Sequence, residues 1–104
     1  MTTKRLTYLE QVVQSGAAEA FARYALALEY RKAGRLEDAM GVFERLRAHE
    51  PEYLPMYLMA GQILLESGAD ERASTWLSQG LALARERGDA KAAGELEEAL
   101  AGCS

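Results

Sequence analysis

The chain has 104 residues, a net charge of −4 and 49% hydrophobic residues, the size and balance of one ordinary domain with a modest core. Nineteen alanines and fifteen leucines make up a third of it and only two prolines interrupt it, a composition that favours helix throughout; the expected fold is all-α. Cys103 is the only cysteine, which excludes an internal disulfide, and no apolar run approaches the roughly 18 residues that cross a bilayer.

Taken in order, the chain divides at its glycines. Thr2 or Thr3 is placed to cap a first helix running to about Ser15, with Gly16 as its stop. Leu6, Leu9, Val12 and Val13 fall on one face of that helix, while Lys4, Glu10, Gln11 and Gln14 fall elsewhere. It reads as a packing helix. A second helix is expected from about Ala17 to Ala33, with Leu26, Ala27 and Tyr30 in one stripe and Gly34 as a left-handed stop. A third spans about Leu36 to His49, with Ala39, Val42, Phe43 and Leu46 at helical spacing and Pro51 as a breaker.

The fourth helix is expected from about Glu52 to Glu66, packing through Tyr57, Ala60, Gly61 and Leu64, and Gly68 closes it. Asp70 is placed to cap a fifth helix reaching about Arg87, whose inner face carries Ala73, Leu77, Leu81 and Ala84. Gly88 stops that helix and Asp89 caps a last one through about Ala101, with Ala93, Leu96 and Leu100 on one side and Lys91, Glu95 and Glu98 toward water. Trp76, beside Leu77, is turned about 100° from the seam facing the fourth helix. It is therefore expected on the outer surface or a neighbouring seam with its ring edge accessible, either as a packing residue or as a contact between two copies of the chain.

The second half of this order repeats the first. Gly34 returns as Gly68, Ala39 as Ala73, Phe43 as Leu77, Tyr30 as Leu64 and Ala27 as Gly61, always 34 residues later. With Leu26, Tyr57, Ala60 and Pro51 added, these residues resemble the tetratricopeptide repeat family, whose signature runs a bulky residue, Leu, a small residue and an aromatic down one helix, then Ala, Phe and Pro. The sequence departs from that pattern at Arg23, where the family prefers a bulky aromatic, and at Arg85, where it prefers Pro. The resemblance implies stacked antiparallel helix pairs in a short right-handed solenoid. Residues 1–104 would form one domain: a packing helix over 1–16, repeats over 20–53 and 54–87, and a capping helix over 89–101. Ala27 and Gly61 would let neighbouring helices approach closely, and Ala39 and Ala73 would do so within each pair.

The resemblance also implies a concave groove lined by the first helix of each pair. In register, the residues turned toward it are Phe21, Tyr24, Leu28, Arg31 and Lys32, then Leu58, Met59, Gln62, Leu65 and Glu66, with Leu96 as a further candidate. This set is more apolar than ordinary helix surface, and an exposed apolar patch usually marks an interaction site. The competing reading is that the terminal helices fold over it and bury part of it as plain core. Some members of the family grip a C-terminal carboxylate with Lys, Asn and Arg, but the equivalent positions here are Tyr24, Leu28, Ala25 and Met59. A largely apolar peptide or an amphipathic helix of another protein suits the groove better, with Arg31 and Lys32 attracting acid at one end.

Catalysis is not expected. His49 is the only histidine and reads as a helix-end cap, and one His with one distant Cys falls short of a zinc site. No phosphate loop or nucleophile elbow is present, and no cofactor is implied. No basic stripe runs along any helix, which argues against nucleic acid, and MTTKRLTYLEQ lacks the apolar core of a signal peptide. The function expected is a cytoplasmic, non-catalytic adaptor or scaffold. The alternative is a self-association module that pairs, as a weak homodimer, through the groove or the Trp76 face.

Overall fold

The structure, a computed structural model, describes residues 4–16 and 19–103. Among the described residues there are six helices and no strand: α1 (Lys4–Gln14), α2 (Ala20–Lys32), α3 (Leu36–His49), α4 (Pro55–Glu66), α5 (Asp70–Glu86) and α6 (Ala90–Ala101). They fall into two compact units, Met1–Pro51 and Glu52–Ser104. The fold is an all-α helical repeat.

The glycines end the helices as their chemistry requires. Gly34 and Gly68 sit at φ 77° and 78°, the left-handed region that costs a glycine nothing sterically. At the first turn Arg35 N–H donates to the Tyr30 carbonyl (2.8 Å) and Gly34 N–H to Arg31 (3.0 Å). At the second, Ala69 N–H donates to Leu64 (2.8 Å) and Gly68 N–H to Leu65 (3.0 Å), and the turn after α5 repeats the arrangement. Each is a Schellman closure that satisfies the last helical carbonyls.

The helix starts are less regular. Asp89 accepts from Ala92 N–H at 3.0 Å and caps α6 as expected. Asp70 does not cap α5: Ala69 occupies that position without a side-chain bond. Asp70 instead stands in the first turn with Glu71, where both carboxylates complement the helix dipole. Helix α4 begins at Pro55 rather than near Glu52, because proline fits the first helical position, where no N–H is needed. The expected cap at Thr2 or Thr3 and the expected start of α2 at Ala17 lie outside the described residues.

In the first unit α2 packs on α3, and α1 lies against α2. Leu6, Leu26, Ala27, Ala39, Met40, Phe43 and Leu46 are buried, and the Tyr24 ring leans on Phe43 with centroids 6.2 Å apart. In the second unit α5 packs on both α4 and α6. A Cβ built on Gly61 would stand 2.3 Å from Leu77 Cδ2, so this glycine brings α4 against α5, its partner within the pair. A Cβ on Gly80 would meet Tyr57 Cβ at 2.5 Å and Leu96 Cδ2 at 3.0 Å, so α5 needs a glycine between its two neighbours.

Two apolar residues are placed differently from expectation. Trp76 is 3% exposed, and its ring packs on Tyr57 with centroids 6.0 Å apart. It belongs to the core, with no accessible ring edge to offer a second copy. It lies in the stripe 73, 76, 77, 80, 81, 84, which α5 buries along its whole length. Leu96 is 1% exposed and sits over Gly80, which removes it from the candidate binding residues.

Candidate functional site

On α2, the candidate residues emerge from the helical face beside the buried run Ala25–Ala27. Phe21 is 69% exposed, an unusual state for so large an apolar side chain, and Lys32 is also exposed. Tyr24, Leu28 and Arg31 are half-buried. Tyr24 is held on one side by Phe43, which fixes its ring without covering it.

On α4, Leu58, Met59, Gln62 and Leu65 are half-buried and Glu66 is exposed. Leu58, Gln62 and Leu65 follow one another at i, i+4 and i+7, which aligns them along a single face. They form one wall of an open cleft of about 380 Å³, and Glu95, Glu98 and Ala99 of α6 form the other. The last helix therefore flanks the α4 stripe instead of sealing it. The partners of the α4 stripe were missed by sequence reasoning. Residues 95, 98 and 99 visibly share a helical face, but nothing in their spacing says that this face borders α4.

A second cluster lies in the first unit. The Tyr30 hydroxyl donates to Glu10 Oε2 at 2.6 Å, and the Arg35 guanidinium lies 4.6 Å from the centre of the Tyr30 ring. Arg35 in turn pairs with Asp38 at 2.8 Å, and Arg5 pairs with Glu29 at 2.7 Å. Burial, followed by the bond to the Glu10 carboxylate, pushes the Tyr30 hydroxyl up to about 12. Beside this cluster is a cavity of about 100 Å³, lined in part by Arg23, Leu26, Val42 and Arg45. Its polar groups tie α1 to α2.

The remaining candidates have local roles. His49 Nδ1–H donates to the Arg45 carbonyl at 2.8 Å, closing the end of α3 as a cap would. Cys103 is half-buried, with its thiol toward the Ala99 carbonyl at 3.8 Å. Among the described residues no three His, Cys, Asp or Glu side chains gather to hold a metal ion, and no helix is long and apolar enough to cross a membrane.

A family model described as tetratricopeptide repeat matches residues 30–95. The solution structure of a tetratricopeptide repeat domain protein from Salinibacter ruber is 32% identical, covers 82% of this chain and 86% of its own, and superposes with a TM-score of 0.77. The crystal structure of a tetratricopeptide repeat domain protein from Salinibacter ruber is also 32% identical, with 82% and 96% covered and a TM-score of 0.76. A protein from Bordetella parapertussis, known from its solution structure, matches in fold over 99% of this chain and 89% of its own, with a TM-score of 0.81 at 23% identity. No curated protein matches the chain.

Proposed function

The chain belongs to the tetratricopeptide repeat family, whose domains are in general non-enzymatic protein–protein interaction modules, and we propose that it is an adaptor or scaffold that binds a peptide or amphipathic helix of another protein. The observation that carries this reading is the open cleft on α4, where Leu58 and Leu65 keep part of their apolar surface in solvent although α6 lies beside them. Apolar side chains held at the rim of a cleft are typical anchors for a partner's side chains. The contacts assigned to the first unit are Phe21, Tyr24, Leu28, Arg31 and Lys32. Those assigned to the second are Leu58, Met59, Gln62, Leu65 and Glu66. The proposed repeats, 20–53 and 54–87, follow the 34-residue offset, with 89–101 as the cap.

Self-association is the weaker reading, because burial of Trp76 removes one of the two faces it relied on. The test is selection of binders from a displayed library of helical peptides, followed by substitution of the α4 stripe. Leu58→Asp and Leu65→Asp should each weaken the selected peptides about tenfold or more while the circular dichroism melt stays cooperative. Binders that ignore both substitutions would overturn the reading.

A further inference from the structure

The α4–α6 cleft combines an apolar wall with an acidic one. Leu58, Gln62 and Leu65 span eight residues of α4, about 10 Å, the length over which a second helix presents side chains at i, i+3 or i+4 and i+7. Opposite them, Glu95 and Glu98 stand exposed on α6, and neither holds an ion pair among the described residues.

The second unit has few cations with which to neutralise them. From residue 52 to residue 104 the sequence has nine acidic and four basic side chains, a net of −5, whereas residues 1–51 carry seven acidic and eight basic. Two of the four cations are engaged elsewhere: Arg85 pairs with Glu97 at 3.3 Å, and Arg87 donates to the Glu52 carbonyl. At about 380 Å³ the cleft is near the small end of ligand pockets, roughly 300–1,000 Å³, so it has room for side chains projecting from one face of a partner.

We propose that the partner segment seated on this cleft is a basic amphipathic helix, with apolar residues against Leu58, Leu65 and Ala99 and Lys or Arg side chains against Glu95 and Glu98. This rests on the reading that α4 is a binding face and adds the charge of what binds there. Unneutralised carboxylates beside an apolar strip attract cations and repel acidic helices, which sets partner choice and association rate more than affinity. Gln62, between the two leucines, supplies a donor and an acceptor for a polar residue in the centre of the partner's face.

The experiment uses the full chain and the peptides selected from the helical display library, remade synthetically and measured by fluorescence anisotropy at two salt concentrations. The expected binders are enriched in Lys and Arg, weaken as salt rises, and lose about threefold to tenfold in affinity on the double substitution Glu95→Gln/Glu98→Gln. These glutamates are exposed, so the pair can be changed without disturbing the core. Binders that lose affinity on Leu58→Asp but are neutral or acidic, or are indifferent to the glutamate substitutions, overturn the charge inference and leave the binding face standing. A library yielding no binder sensitive to Leu58→Asp overturns both.

Discussion

Tyr57 of the second unit packs on Trp76 and closes on Gly80, whereas 34 residues earlier the first unit has Arg23 and Val42, which border a small cavity walled partly by charged and amide side chains. The outer helices differ accordingly. Helix α6 docks through Leu96, buried over Gly80, with an exposed ion pair between Arg85 and Glu97. Helix α1 buries Leu6 and Leu9 but is also tied to α2 by Tyr30–Glu10 and Arg5–Glu29. The same repeat register thus tolerates an aromatic seam in one unit and a polar one in the other. Both units keep a glycine turn and, 34 residues apart, a fully buried alanine, Ala39 and Ala73; they differ at the position occupied by Arg23 and Tyr57.

Breaking the aromatic seam should have the largest effect. Trp76→Ala removes a buried indole, and the second unit should lose about 3–5 kcal/mol in urea unfolding. An accessible Trp76 would predict almost no loss. Next comes the glycine that admits both neighbours. Gly80→Ala drives a Cβ into Tyr57 Cβ, which cannot swing aside without moving α4, so a loss of about 1–3 kcal/mol is expected despite alanine's better helix propensity. Gly94 serves as the control: a Cβ there meets nothing, and Gly94→Ala should be neutral or stabilise by up to about 1 kcal/mol.

The smallest effect sharpens the other side of the comparison. Tyr30→Phe removes the hydroxyl bond to Glu10 and should cost about 1 kcal/mol at neutral pH. Its signature is the pH dependence. The folded state raises the Tyr30 hydroxyl to about 12, above the 10.0 of a free tyrosine, so its contribution is complete below pH 10 and lost as pH rises from there toward 12. Wild type and Tyr30→Phe should therefore converge in stability across that alkaline range. A constant difference between them would mean the hydroxyl is not held as described.

Much of the fold is legible because it is written in local chemistry. Gly34, Gly68 and Gly88 announce their turns, and the 34-residue offset aligns Ala39 with Ala73 and Phe43 with Leu77 before any contact is known. What escaped is how much α5 buries. Reading Trp76 as about 100° away from Leu77 is correct geometry and allows for a seam, yet its ring packs on Tyr57 of α4 and only 3% of the residue stays exposed. Leu96 escapes because α5 has a second neighbour: Gly80 faces both Tyr57 and Leu96, and a glycine inside a helical pattern is an ambiguous signal on its own. In the candidate site, Leu58, Gln62 and Leu65 follow from the repeat register, while the acidic wall of Glu95 and Glu98 comes from how α6 lies beside α4, a long-range pairing that no local spacing encodes.

The account rests most heavily on α4 being a binding face. The direct measurement is a methyl-resolved NMR titration of the full chain with a peptide selected from the helical library. Binding at the proposed face predicts that the methyl signals of Leu58, Leu65 and Ala99 move together and saturate at one affinity. Signals at these three residues that stay still at saturating peptide, while others move, would contradict it.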